Sequence, residues 1–205
     1  MENGQRVMRT LPHMLDYTDV ILNLFMAGWF LRLWIAPQME DADDIYSLSV
    51  LLAFEMLMLH SGTFMAFFPP KWSIFIFIPI YGLFAWAYSY VLEDNYILWI
   101  YLFVVLNRMR FAFFKKDVGL KLRAMKSSFI STFIYLISLG LTLAISDYLP
   151  EFGLTESFLE EAKPRESFFV DGPVFVMAFG TFFYICLAIF NFWVSRNPEK
   201  LEGEI

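Results

Sequence analysis

The residues best suited to chemistry in this chain are ionisable groups that fall inside long apolar stretches. Glu55 and His60 lie in one such stretch, and Arg108 and Arg110 lie in another. An ionisable group in the hydrocarbon core of a bilayer is costly unless it is paired or hydrated. Each of these four residues therefore indicates either a functional site or a buried structural contact.

Helix geometry places these groups at similar depths. At about 1.5 Å per residue, Glu55 falls about 15 Å below the start of its stretch, close to the midplane, and His60 falls about 22 Å below it. Asn107, Arg108 and Arg110 fall roughly 17 to 21 Å below the start of a stretch that runs in the same direction. The sequence therefore predicts one polar cluster in the inner half of the membrane.

Three further polar residues belong to this predicted cluster. Asn23 and Asn191 project to the same inner half from the first and last apolar stretches, and Ser61 directly follows His60. We expect His60 to form a hydrogen-bonded network with the asparagines of the cluster, Asn23, Asn107 and Asn191, and this network opens toward the cytoplasm.

Two interpretations of Glu55 follow from its depth. In the first, Glu55 is ionised and paired with Arg108 or Arg110. In the second, both arginines extend to phosphates at the cytoplasmic surface, and Glu55 is protonated and bonded to a nearby serine or backbone carbonyl. We prefer the first interpretation because pairing makes the burial of both charges tolerable.

The spacing of these residues disfavours an enzyme. Glu55 and His60 are rotated by about 140° around their helix, and adjacent residues such as His60 and Ser61 point about 100° apart. Metal-binding pairs such as two histidines four residues apart or Glu-x-x-His are absent from this stretch, and His60 is the single intramembrane histidine available to haem. The sequence therefore predicts no metal and no cofactor.

Composition sets the fold class. Hydrophobic residues make up 59% of the 205 residues and charged residues 18%, which is more apolar than a soluble globule of this size. The apolar runs have the length of helices rather than of barrel strands. The sequence predicts an all-α, polytopic membrane bundle that forms one domain over residues 1–205. Its six predicted spans are residues 17–35, 45–68, 73–92, 96–114, 129–149 and 173–194.

Charge in the loops orients these spans. Lysine and arginine concentrate on one side, and acidic residues concentrate on the other, including the predicted extracytoplasmic loop 150–172. Because basic residues are retained in the cytoplasm, both termini are predicted to be cytoplasmic, in an inner or plasma membrane. Within the acidic loop, Thr155 is a candidate cap for a short interfacial helix, and an ordered loop is the alternative.

Small residues predict where helices pack closely. The candidate positions are Ala27-Gly28, Ser61-Gly62 and the surroundings of Gly180. Arg32 and Asp147 both fall near the outer boundary, where they either form an interfacial pair or extend separately into water.

The function best supported by the sequence is a small transport or channel-type subunit with a polar inner-half cavity. The alternative is a non-catalytic membrane anchor or assembly subunit of a larger complex, and a lipid-modifying intramembrane enzyme ranks third. The expected partners are the lipid bilayer and either further copies of the chain or another membrane protein. Nucleic acid is not expected, because the net charge is −6 and the basic residues lie at the membrane surface.

Overall fold

The structure is a computed structural model that describes residues 2–67, 118–162, 172–197 and 199–202, and isolated positions at 75, 76, 79, 80, 82, 83, 86 and 99. Within the continuous ranges, side chains are described from residue 17 onward, except at 56–58, 60–67, 118–121, 124, 199 and 202.

The described residues are almost entirely helical and contain no strand. The helices are α1 (Glu2–Ile35), α2 (Ala42–Phe67), α3 (Val118–Ala144), α4 (Glu156–Ala162), α5 (Pro173–Arg196) and α6 (Glu199–Glu202), with 3-10 helices at Met39–Asp41 and Ser146–Tyr148. This confirms the all-α class.

Three helical segments are long and apolar enough to cross a membrane, namely Tyr17–Ile35, Met125–Ala144 and Pro173–Arg196. They are consistent with an integral membrane protein. The predicted second span, residues 45–68, overlaps α2 over residues 45–67, and its last residue lies outside the described residues. Predicted spans 73–92 and 96–114 lie outside the described residues, apart from the isolated positions named above.

Helix α3 differs from the predicted fifth span at both of its ends. It begins at Val118, between the predicted fourth and fifth spans, because the lysine, arginine and leucine residues there are good helix formers. It ends at Ala144 rather than at Leu149. Pro150 follows, and it holds Leu149 in an extended conformation (φ −68°, ψ 127°).

The N-termini of α5 and α4 are set by local sequence signals. Pro173 occupies the first turn of α5 directly after Gly172, where the missing proline N–H costs no helical hydrogen bond. The Thr155 hydroxyl accepts a hydrogen bond from the Phe158 amide at 3.4 Å, so Thr155 caps α4 as its position predicts.

The bundle is built from antiparallel pairs. Helix α1 packs mainly against α5, α2 against α3, and α3 also packs against α5 and α6. We call the end of the bundle where α1 ends and α5 begins the Trp34 end. The opposite end, where α3 begins and α5 ends, is called the Trp193 end.

Close packing at Gly180 is confirmed. A Cβ atom there would lie 2.7 Å from Cγ of Phe30 and closer still to two other ring atoms, so the ring of α1 lies directly on the backbone of α5. Gly28, in contrast, is exposed, and within the described ranges no atom lies within 4 Å of an added Cβ, so the prediction of close packing at this glycine is wrong. The neighbouring Ala27 is buried. Side chains at the Ser61-Gly62 position lie outside the described residues.

Helix α3 buries hydroxyl groups and exposes apolar side chains. A stripe of five hydroxyl-bearing residues, called the hydroxyl stripe, recurs every three or four positions and faces the bundle. Phe129 and Leu141 on the opposite face are both 62% exposed. This arrangement is the reverse of a soluble amphipathic helix, and it suits a helix whose outer face contacts lipid. The hydroxyl stripe consists of Ser128, Ser131, Tyr135, Ser138 and Thr142.

Polar contacts stabilise the Trp34 end of the bundle. The Arg32 guanidinium pairs with the Asp41 carboxylate, with Nη2 and Oδ2 3.0 Å apart. The backbone N–H of Gln38 donates to the same carboxylate at 2.7 Å. Of the two alternatives for Arg32 and Asp147, the pair is not formed, because a short turn brings Asp41 to the arginine and Asp147 is exposed. Trp34 Nε1 also donates to the Pro150 carbonyl at 2.9 Å.

Candidate functional site

Two hydrogen bonds from side chains of α3 join it to the backbone of α2. The Tyr135 hydroxyl donates to the Leu52 carbonyl at 3.1 Å, and the Ser128 hydroxyl donates to the Leu59 carbonyl. The two donors are seven residues apart on α3, and the two acceptors are seven residues apart on α2. The helices are therefore antiparallel, with matched faces over two turns.

Glu55 lies between these two hydrogen bonds. Leu52, Glu55 and Leu59 follow the i, i+3, i+7 spacing, which places them on one face of α2, and the Glu55 side chain is 1% exposed. Ser131 occupies the equivalent place between Ser128 and Tyr135 on α3. Glu55 and Ser131 therefore lie at the same level of this interface. We call Glu55, Ser128, Ser131 and Tyr135 the Glu55 seam.

Tyr135 connects all three helices that meet at the seam. Its hydroxyl binds α2, and its ring packs edge-to-face against Phe179 and Phe183 of α5, with ring centroids 5.0 and 5.2 Å away. The phenol also lies within electrostatic range of Glu55. These contacts fix the position of the hydroxyl beside the carboxyl.

Ser131 differs from most other hydroxyl residues of the bundle. Thr142, Thr132 and Thr181 each donate to the carbonyl four residues earlier in their own helix, at 2.7, 3.0 and 2.7 Å. Ser131 is 6% exposed, and its hydroxyl has no hydrogen-bond partner in the part of the chain that the structure describes. A buried hydroxyl without a partner retains the capacity to bind an ion, a proton carrier or a water molecule.

The seam lies near the middle of the apolar length of α3. The apolar segment Met125–Ala144 has 20 residues, which corresponds to about 30 Å of helix. Tyr135 is about 15 Å from its start, and the level of Glu55 is about 10 Å from it. The carboxyl is therefore far from both ends of the segment.

Asn23 and Asn191 lie at a different level of the bundle from Glu55. Asn23 is buried on α1, and Asn191 is half-buried on α5. Phe30 and Tyr184, whose ring centroids are 5.6 Å apart, fix the register of these antiparallel helices and place the asparagines at a common level. The contact between Tyr135 and Phe183 then puts that level about one and a half helical turns, or about 7.5 Å along the helix axes, from Glu55.

The side chains of the remaining predicted site residues lie outside the part of the chain that the structure describes. Asn107, Arg108 and Arg110 lie outside the described residues, as do the side chains of His60 and Ser61, although the backbone of both lies in α2. Pairing between Glu55 and an arginine stays a prediction.

Sequence reasoning missed Ser128, Ser131 and Tyr135. The signal was present, because the hydroxyl stripe repeats at 3- and 4-residue intervals through an otherwise apolar segment. Arg123 is also buried, at 3% exposure, in the first turns of α3, although its position outside the predicted spans indicates a residue at the membrane surface.

The described part of the chain holds no group of three histidine, cysteine or carboxylate side chains that would bind a metal ion. The Glu55 seam places a buried carboxyl at the level of hydroxyl groups, which suits the binding of a proton or a small cation. Comparison with known protein families, with curated proteins and with solved structures found no match.

Proposed function

We propose that this chain is a small transport or channel-type membrane subunit in which Glu55 binds and releases the transported proton or cation. The observation that carries the proposal is the position of Glu55, which is 1% exposed and far from both ends of the apolar segment of α3. Gaining or losing a charge at such a position changes the free energy of the bundle strongly. A carboxyl there is suited to couple ion binding to a change in helix packing.

The neighbours of Glu55 support this proposal. A cation that leaves water for the bundle interior needs oxygen ligands in place of its hydration shell. The Glu55 seam offers a carboxyl and the unused Ser131 hydroxyl at one level, next to the fixed Tyr135 hydroxyl. Further hydroxyl groups continue along α3 toward the Trp34 end, at Ser138 and Thr142.

The proposal includes the finer topology inferred from charge. It takes the chain as a six-span subunit of an inner or plasma membrane, with both termini cytoplasmic and the acidic segment 150–172 outside. In this arrangement the Glu55 seam is reached from the cytoplasmic half, and a subunit of this size assembles with other copies to complete a pathway.

Flux measurement in liposomes tests the proposal. Purified protein is reconstituted with a pH-sensitive dye or a cation-sensitive dye inside the vesicles, and flux is recorded for wild type, Glu55→Gln and Glu160→Gln. Glu55→Gln is expected to reduce flux at least tenfold. Glu160 is exposed on α4, so the same chemical change there is expected to leave flux unaltered. Equal flux in wild type and Glu55→Gln overturns the proposal.

An anchor or assembly subunit is the second candidate, and one observation favours it. The exposed face of α3 carries a contiguous set of bulky apolar side chains, among them Phe129 and Phe133 with ring centroids 4.9 Å apart. Such a face fits a helix of another membrane protein as well as it fits lipid. Vesicles without flux, together with stoichiometric copurification of one membrane protein, favour this function.

A further inference from the structure

Beyond transport, we propose that Arg196 and Lys200 at the Trp193 end form a binding site for the phosphate of an anionic phospholipid. The two cations lie at the C-terminal end of α5, an apolar helix of 24 residues. Lipid headgroups contact a membrane protein at such helix ends. Both side chains are exposed.

Aromatic rings hold the two cations in place. The Arg196 guanidinium lies 5.2 Å from the centroid of the Phe192 ring, and the Lys200 ammonium lies 5.5 Å from that of Trp193. Phe192 and Trp193 are adjacent in the chain and partly exposed, as residues at a membrane interface are. The cations are therefore positioned before a ligand arrives.

The backbone between Arg196 and Lys200 turns back and brings Lys200 toward α5. The Asn197 amide N–H and side-chain Nδ2 both donate to the Trp193 carbonyl, at 3.1 and 2.9 Å. The short helix α6 then packs against α3, with Leu201 buried at 5% exposure. This bend ends α5 and carries Lys200 over the Trp193 ring.

The charges of both residues are available to an anion. Among the residues that the structure describes, neither Arg196 nor Lys200 forms an ion pair. At the Trp34 end, in contrast, Arg32 is bound to the Asp41 carboxylate, and exposed carboxylates such as Glu156 and Glu160 lie on α4, which packs against the 3-10 helix Met39–Asp41. Anionic headgroups are therefore expected at the Trp193 end and not at the Trp34 end.

The chemistry favours a phosphodiester headgroup. Guanidinium and ammonium groups donate charge-assisted hydrogen bonds to phosphate oxygens. A cation at the membrane surface contributes about 1 kcal/mol to the binding of anionic lipid. Two such cations together correspond to an affinity about 30-fold higher than in their absence, and one to about fivefold.

Nanodiscs of defined lipid test the site. Full-length protein is placed in phosphatidylcholine with increasing phosphatidylglycerol, and the retention of labelled phosphatidylglycerol is measured. The variants are Lys200→Gln and the double variant Arg196→Gln/Lys200→Gln. The control removes the same two charges from the acidic loop segment, as Lys163→Gln/Arg165→Gln. We expect retention to fall about fivefold in the single variant and about 30-fold in the double variant, with no change in the control.

Three outcomes overturn the proposal. Equal retention by wild type and the double variant shows that these cations do not bind the lipid. An equal loss in the control shows that only total charge matters. Displacement of labelled lipid by millimolar inorganic phosphate shows a site for free phosphate rather than for a lipid. If the double variant fails to fold in pure phosphatidylcholine, the single variant still carries the test.

Discussion

Replacing Gly180 by alanine tests the packing of the bundle most directly. The added Cβ would lie 2.7 Å from Cγ of Phe30 and closer to two other ring atoms, which is well inside van der Waals contact. Phe30 is 0% exposed, and its ring also packs against Tyr184, so it has no free space to enter. Either the ring changes its rotamer or α1 and α5 move apart.

The expected loss of stability follows from two opposing effects. Overpacking a buried position costs typically about 1–3 kcal/mol, and alanine in place of a helical glycine returns up to about 1 kcal/mol. We therefore expect Gly180→Ala to lower the free energy of unfolding by about 1–2 kcal/mol. The assay is unfolding in dodecylmaltoside micelles with increasing sodium dodecyl sulfate, followed by tryptophan fluorescence.

The chain supplies a matched control at Gly28. This glycine is also helical, but it is exposed, and no atom of the residues that the structure describes lies within 4 Å of an added Cβ. Gly28→Ala is expected to leave stability unchanged or raise it by about 0.4–1 kcal/mol. Phe30→Leu is expected to relieve the clash, so the double variant Phe30→Leu/Gly180→Ala loses less stability than the two single losses added together. Equal stability of Gly180→Ala and Gly28→Ala would refute the packing that we describe.

Three further predictions concern individual contacts. Tyr135→Phe keeps the ring contacts and removes one interhelical hydrogen bond, so we expect a loss of about 0.6–1.5 kcal/mol in the same unfolding assay, whereas Tyr148→Phe, at a residue that is 86% exposed, should change nothing. A double-mutant cycle of Arg32→Gln and Asp41→Asn is expected to give a coupling energy of about 1 kcal/mol or less that declines in high salt, because the arginine is partly exposed; a coupling unaffected by salt would contradict this. Ser131→Ala should leave stability unchanged, since it removes a buried hydroxyl without a partner in the described part of the chain, yet reduce liposome flux; unaltered flux would exclude this hydroxyl from the transport site.

The apolar segments were largely predictable from the sequence. Helix α5 runs from Pro173 to Arg196, close to the predicted span 173–194, because Gly172-Pro173 and Asn197-Pro198 mark its ends clearly. The beginning of α3 was not predictable in the same way. Lysine and arginine indicate a position outside the hydrocarbon, but they do not end a helix, so a hydropathy boundary and a helix boundary differ there.

The candidate site was predictable in part. The depth of Glu55 followed from its position in an apolar stretch, but the depth of a residue does not reveal its neighbours. Ser131 and Tyr135 lie close to the level of Glu55 because of the register between α2 and α3, which no local pattern specifies. The same holds for Arg32, whose choice of Asp41 over Asp147 depends on a turn geometry that charge and depth alone do not define.

The two hydrogen bonds between α3 and α2 constrain the amino-acid sequences of the two helices unequally. Both acceptors are main-chain carbonyls, which every amino acid supplies. Substitutions among apolar residues at positions 52 and 59 therefore keep both hydrogen bonds between α2 and α3. Both donors are side chains, and only a narrow set of residues replaces them. Natural variation should therefore accumulate on one helix and be restrained on the other, although the two share a single interface.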